Sequence, residues 1–350
     1  MHACYTDIPA LFGERGLIDN TWPYLSADNA MEYPPIIGLG NWLISFIVPA
    51  ENSYRWFFDI NVLLLIGCFI AIGFLLRKMK PEHSYLFPLA PAVVASLFIN
   101  WDLWAVITLL LSIYYFDSKK YEASAIALAI SISTKFFPIV LLLPAVILLW
   151  RSQQLKQLRS YLFTVSIFWL AINLPIIITS FDGWWRFFKL NLDRGPDFGS
   201  IWFALNIFGF NLSGLNNLYS FISILAFIGF AIWLTKLNKT PTLASISFFL
   251  ILIFTTLAKV YSPQYVLWLT PLAIIAMQQR KQISAFWIWQ ATELIYHLAI
   301  WQYLALDQGA EFGLPAGGYA LAILIRVAGI SWFAYKLAFE INRSHASISH

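Results

Sequence analysis

Carboxylates near the start of the chain are the first candidates for acid–base chemistry. Asp7 and Glu32 lie in a segment rich in aromatic residues, glycine and aspartate, which precedes any long apolar stretch. A carboxylate at a membrane surface can take a proton from a hydroxyl group, more readily where desolvation raises its pKa. The alternative is that both residues are ordinary solvated loop acids, which composition alone favours.

Further polar candidates stand at predicted helix ends. Lys135 in TKFFP and Lys259 in AKVYSPQY each precede a proline-containing turn, and two such lysines could hold a phosphate as point charges. Lys135 could instead be a lysine that extends its amine to the interface. Gln264 in the second turn, together with Arg194 nearer the middle of the chain, is a further substrate-binding candidate. Glu32 and Asp102 are also substrate-binding candidates, although the position of Asp102 in the turn NWD predicts that it caps the next helix.

One apolar stretch contains two ionisable residues on a single helix face. Glu293 and His297 are four positions apart, a spacing that places them one turn apart on a helix. Ionisable groups inside a membrane are rare and suggest function, so both are included among the substrate-binding candidates. Structural pairing with each other or with Arg326 is the alternative.

Composition places these residues in a membrane protein. Charged residues make up only 11% of the 350 residues and hydrophobic residues 60%, whereas a soluble domain carries roughly 25% charged residues. A spanning helix needs about 20 mostly apolar residues, and we predict an all-α polytopic protein with about 11 such helices. They are expected near residues 59–76, 84–99, 102–116, 121–135, 138–150, 160–179, 216–235, 242–258, 262–277, 283–305 and 318–335.

Charge distribution indicates which loops face which side. Alternation of the spans puts 14 of the 22 Lys and Arg residues on one side and 13 of the 18 acids on the other. Because basic loops mark the cytoplasmic side, the candidate residues fall in extracytoplasmic loops. The predicted location is the plasma membrane, with membrane lipid as a partner and no nucleic acid.

The predicted organisation is one integral membrane domain over residues 1–350. Residues 1–58 form a first extracytoplasmic loop with an interfacial or re-entrant segment at 36–49, residues 59–335 carry the spans, and residues 336–350 are a cytoplasmic tail. Since residues 1–35 have the character of a loop that follows a helix, a twelfth span before residue 1 stays open. No spacing of Cys or His predicts a metal site.

Several short motifs together resemble a known family. The resemblance extends from Tyr5 to about His297 and is to the actinobacterial polyprenol-phosphate-mannose-dependent mannosyltransferases, membrane glycosyltransferases of the GT-C superfamily. The motifs are weak singly, but they share an order and a predicted external placement. They are YTDIP, WPYL, EYPP, INWD, TKFFP, SPQYVLWLTPL and WQATELIY followed by histidine.

The resemblance implies a GT-C-type bundle whose extracytoplasmic loops form the active-site face. It implies a polyprenyl-phosphate sugar donor, typically carrying mannose, a glycolipid or glycan acceptor, and no cofactor. Asp7 matches the acidic residue of the first external loop that acts as general base in an inverting transfer. Lys135 and Lys259, with Arg194 and His297, would then stabilise charge on the leaving phosphate.

Two other functions remain open from the sequence. A transporter or lipid flippase would place its site near the bilayer midplane and often has repeated halves. Glu293, His297 and Arg326 favour that alternative, whereas the clustering of polar residues at one face and the lack of a recognisable repeat do not. The third possibility is a non-catalytic relative that serves as an assembly subunit.

Overall fold

The computed structural model describes residues 5–210, 214–237 and 240–346, with side chains described to residue 342. Within these ranges the chain is helical and contains no strand. Short 3-10 turns occur at Leu17–Asp19, Phe137–Leu141 and Pro263–Tyr265. The α-helices are α1 Asp7–Glu14, α2 Pro35–Ser45, α3 Ser53–Met79, α4 Leu86–Leu89, α5 Pro91–Ser96, α6 Asp102–Asp117, α7 Tyr121–Thr134, α8 Leu142–Arg151, α9 Leu155–Thr179, α10 Phe181–Asp193, α11 Ile201–Ile207, α12 Leu215–Thr235, α13 Leu243–Leu257, α14 Val266–Ala276, α15 Gln282–Asp307 and α16 Ala316–Ala346.

Four helices of the described chain are long and apolar enough to cross a membrane. They are α3, α9, α12 and the part of α16 from Ala316 to Asn342. The prediction of an α-helical membrane protein is therefore confirmed in this coarser form, and the number of about 11 spans stays a prediction. Most of the predicted segment 36–49 belongs to the short apolar helix α2. The predicted tail at 336–350 continues α16 as far as Ala346, and residues 347–350 lie outside the described ranges.

The predicted span at 84–99 is wrong as a continuous helix. Two short helices, α4 and α5, occupy this segment. Ala90 between them has an extended backbone, with ψ of 111°. The residue before a proline is driven out of the helical region by the proline ring, so Pro91 ends α4 and starts α5.

The described residues form two compact units, each assembled from separate stretches of sequence. The amino-terminal unit comprises Thr6–Met79 and Leu97–Asp193, and the carboxyl-terminal unit comprises Tyr5, Lys80–Ser96 and the described residues from Arg194 onward. The expectation of a single domain stays a prediction.

Small polar residues bring helices of the amino-terminal unit close together. Ser124 of α7 donates to the carbonyl of Ser112 on α6 at 2.8 Å, and Ser131 donates to the carbonyl of Ala105 at 2.7 Å. Short side chains at a helix interface allow backbones to approach, and their hydroxyls need partners away from water. The alanine- and serine-rich sequence of α7 therefore fits its position between α6 and α9.

Candidate active site

The start of α1 places Asp7 beside the turn before α6. Thr6 caps α1 by accepting the amide of Ile8 at 3.2 Å, and the amide of Asp7 donates to the carbonyl of Ile99 at 2.8 Å. An acid in the first turn is stabilised by the helix dipole. The cap and the bond to Ile99 together fix the position of the Asp7 backbone, from which the carboxylate extends.

Two neutral donors contact the Asp7 carboxylate. The Tyr33 hydroxyl donates to Oδ2 at 3.3 Å, and the Asn100 amide lies 3.5 Å from both Oδ2 and the Tyr33 oxygen. Burial, followed by the negative charges of Asp7, Asp102 and Glu32, raises the pKa of Tyr33 well above its usual value. Tyr33 therefore remains a protonated donor at neutral pH, and these contacts orient the carboxylate without neutralising its charge.

A buried ion pair lies next to Asp7, Tyr33 and Asn100. Lys135 Nζ is 3.0 Å from Asp102 Oδ1 and 4.1 Å from the centre of the Tyr33 ring. Asp102 is 0% and Lys135 8% exposed. Lys135 therefore does not extend to solvent as a snorkelling lysine would, and its side chain connects the end of α7 to the start of α6 and to Tyr33.

The predicted cap of α6 is wrong by one residue. Trp101 occupies the cap position and Asp102 is the first helical residue. The Asn100 side-chain oxygen accepts a hydrogen bond from the backbone N–H of Asp102 at 3.1 Å. This N–H is one of those at the helix start that have no acceptor within the helix. Trp101 is anchored separately, through its indole N–H to Asn61 of α3 at 2.7 Å.

Glu32 is held by arginines from two segments. Arg15 forms an ion pair with Glu32 Oε1, and Arg186 of α10 lies 3.4 Å from the same oxygen. Arg186 also donates to the carbonyl of Ala27 at 2.6 Å. Glu32 thus connects α10 to residues 5–34, which precede α2 and are called the opening segment, and its predicted contact with substrate stays a prediction.

The aromatic helix α10 covers this part of the amino-terminal unit. Its only buried residue is Gly183, where a Cβ atom would overlap the backbone of Tyr24. Trp184 donates to Asn173 Oδ1 of α9 at 3.0 Å. The remaining aromatic rings of α10 are partly or fully exposed, as in helices that lie at a membrane interface.

In the carboxyl-terminal unit, Glu293 and Arg326 form a fully buried ion pair. Arg326 Nε is 2.7 Å from Glu293 Oε2, and the two residues are 0% and 2% exposed. The other Arg326 nitrogens donate to the carbonyls of Tyr261 and Ser262 at 2.5 and 2.9 Å. The Arg326 guanidinium also lies 3.5 Å from the centre of the Tyr261 ring. Arg326 therefore clamps the turn that joins α13 to α14.

Lys259 lies in the turn that Arg326 clamps. Its amine donates to Asn216 Oδ1 at 2.9 Å, and its carbonyl accepts the amide of Asp197 at 2.8 Å. Gly199 adopts φ of 76° close to Tyr261, where a Cβ atom would overlap the Tyr261 carbonyl. Only glycine tolerates both conditions at this position, so the segment after α10 follows the Lys259 turn closely.

The other predicted residues of this unit are Arg194, His297 and Gln264, and none of them bonds to the Glu293–Arg326 pair among the contacts described. Arg194 pairs with Asp197 at 3.2 Å. His297 Nδ1 is 3.5 Å from Ser96 Oγ, and Ser96 donates to the carbonyl of Pro263 at 3.4 Å. Gln264 is buried, and among the described residues its Oε1 has no hydrogen-bond partner. His297 and Gln264 thus both belong to the surroundings of the Pro263 turn.

The structure places three residues predicted from the sequence, Asp7, Asp102 and Lys135, around Tyr33. Tyr33 and Asn100, which are neutral, were not predicted from the sequence. Tyr33 and Asn100 lie in the motifs EYPP and INWD, which could have indicated them. Among the described residues, no group of three or more His, Cys, Asp or Glu side chains could hold a metal ion. No protein-family model, no curated protein and no solved structure matches this chain.

Proposed function

We propose that this chain is a membrane glycosyltransferase that moves a sugar from a polyprenyl phosphate to an extracytoplasmic glycolipid or glycan. The observation that carries the proposal is the setting of Asp7, a carboxylate oriented by Tyr33 and Asn100. The sequence resemblance to polyprenol-phosphate-mannose-dependent mannosyltransferases supports mannose as the sugar. The finer architecture, a GT-C-type bundle of about 11 spans in the plasma membrane, is part of this proposal.

Asp7 acts as the general base of a single inverting displacement. Its carboxylate takes the proton from the acceptor hydroxyl while that oxygen bonds to the anomeric carbon. The bond from that carbon to the phosphate oxygen breaks, and polyprenyl phosphate leaves. A long isoprenoid tail leaves the bilayer at a cost of roughly 0.8 kcal/mol per CH₂, so a transferase for this donor works at the interface.

Lys135 has a different role from the one that its sequence position predicts. Its partner Asp102 balances its charge at 3.0 Å, so phosphate binding would require it to exchange that partner. We assign it the positioning of Tyr33, whose ring it contacts. Phosphate contacts by Lys259 and Arg194, and substrate contacts by Gln264, His297 and Glu293, stay predictions.

The test uses the chain in membranes supplied with radiolabelled polyprenyl-phosphate mannose and extracted lipids. Loss of a general base typically costs about 10²–10⁴-fold in rate, so we expect Asp7→Asn to lose transfer by that factor. Asp28→Asn is the matched control, because Asp28 is an exposed acid of the same opening segment. Equal labelling by wild type and Asp7→Asn would remove Asp7 from the reaction.

The buried Glu293–Arg326 pair is the observation that favours a transporter or flippase, since intramembrane ionisable residues often mark a transport path. Both residues are engaged by bonds within their unit. Vesicle flux of a lipid-linked sugar without label transfer would support that function instead. The absence of both vesicle flux and label transfer would indicate a non-catalytic relative.

A further inference from the structure

An open apolar groove lies between α3 and α6 of the amino-terminal unit. Its volume is about 660 Å³, within the roughly 300–1,000 Å³ that small-molecule sites occupy. Ala71, Phe74 and Leu75 form one wall, and Ile107 and Leu111 form the other. The groove is therefore lined along its length by hydrocarbon.

The groove lies at the opposite end of these helices from the candidate active site. Asn61 of α3 bonds to Trp101 just before α6, and Lys78 near the end of α3 lies 5.5 Å from the ring of Tyr114 near the end of α6. The two helices therefore run in the same direction. Tyr114 is about 18 Å along α6 from Asp102 at 1.5 Å per residue, which places the groove's rim in the other leaflet of a bilayer.

Two cations stand at the rim of the groove. Arg77 and Lys78 line it, both are exposed, and none of the residues that line it is acidic. Cations in the last turn of α3 also stabilise its dipole, but that effect does not require an apolar cleft beside them. An apolar cleft with a basic rim complements a molecule that has a hydrocarbon chain and an anionic head group. Basic pockets between membrane helices on the cytoplasmic side bind anionic lipid head groups by this chemistry.

We propose that this groove is a binding site for an anionic phospholipid of the leaflet opposite the candidate active site. An acyl chain lies against Phe74, Leu75 and Leu111, and the phosphate lies between Arg77 and Lys78. The Tyr114 ring keeps the Lys78 amine at the rim. The site depends on α3 and α6 alone and is independent of the proposed transferase reaction.

Native mass spectrometry of the whole chain with added phosphatidylglycerol or phosphatidylcholine tests the site. We expect wild type to bind phosphatidylglycerol at least about 10-fold more tightly than phosphatidylcholine. Arg77→Gln/Lys78→Gln should lower its affinity about 30-fold, equivalent to about 2 kcal/mol at 1.4 kcal/mol per tenfold. Ala71→Phe, which narrows the groove but keeps both cations, should release the lipid as well.

The matched control is Lys156→Gln/Arg159→Gln, which removes two exposed charges on α9, away from the groove. We expect this variant to bind phosphatidylglycerol within about threefold of wild type. Equal losses of phosphatidylglycerol affinity in the two double variants would overturn the proposal, because any exposed basic pair would then attract the lipid equally. Equal binding of both lipids by wild type would also overturn it, and that comparison requires no variant.

Discussion

Breaking the Glu293–Arg326 pair should destabilise the chain far more than breaking an exposed pair with the same N–O distance. Glu293→Gln leaves the Arg326 charge without its carboxylate in a site where Arg326 is 0% exposed. Removing one partner of a buried ion pair costs about 3–5 kcal/mol. Arg326 keeps two carbonyl acceptors and two aromatic faces, so we expect the lower end, about 3 kcal/mol.

The assay is reversible unfolding in mixed micelles, applied as a double-mutant cycle. The cycle uses Glu293→Gln, Arg326→Gln and the double variant. Because the double variant leaves no unpaired charge, we expect a coupling energy of about 3 kcal/mol. Arg326→Gln also removes both bonds to the turn, so amide exchange at Tyr261 should accelerate.

The control pair is Arg55 and Asp59 on α3. Its Nε–Oδ2 distance is 2.7 Å, equal to that of the buried pair, but its side chains are 77% and 39% exposed. Exposed pairs of this spacing contribute about 0.3–0.5 kcal/mol. A coupling energy for Glu293 and Arg326 as small as that of the control would refute the reasoning that burial decides the contribution of this pair.

Two further predictions concern Tyr24 and the helix α10, which packs against it. Gly183→Ala places a methyl group against the Tyr24 backbone and should destabilise the chain by about 1–3 kcal/mol in thermal unfolding, with exposed Gly195→Ala as a near-neutral control; equal melting temperatures would contradict it. Burial raises the pKa of Tyr24, so the folded state keeps the phenol proton where the unfolded state begins to lose it. Stability is then fully present below about pH 10 and falls above it, by up to about 1.4 kcal/mol per pH unit for this group. Tyr24→Phe should make that alkaline fall shallower, and an unchanged slope would show that Tyr24 does not contribute.

Hydropathy predicted the long helices because their signal is local. The expected spans at 59–76, 160–179 and 216–235 fall within α3, α9 and α12. The same measure failed at 84–99, since it weighs apolar character and ignores the backbone restriction that Pro91 imposes.

The contacts of the candidate site could be predicted only in part, because partners far apart in sequence leave no local trace. The motif TKFFP predicts Lys135 as a phosphate ligand, but nothing near it in the sequence indicates that Asp102 balances its charge. Tyr33 and Asn100 are neutral residues in a chain rich in aromatic side chains, so their types alone carried little signal. The sequence indicates Arg326 as a partner of Glu293 or as part of a transport site, whereas its bonds to the Tyr261 turn depend on tertiary structure.

The discontinuous carboxyl-terminal unit has a consequence for biosynthesis. Ser96 at the end of α5 contacts His297, which is 201 positions later in the chain. At roughly 5–20 residues per second, the ribosome needs about 10–40 s to make the intervening polypeptide. During that interval α4 and α5, of four and six residues, lack the helices α14 and α15 that they pack against. Each of the two is too short to cross a bilayer. The contacts of α4 and α5 with α14 and α15 can therefore form only after most of the chain has been synthesised.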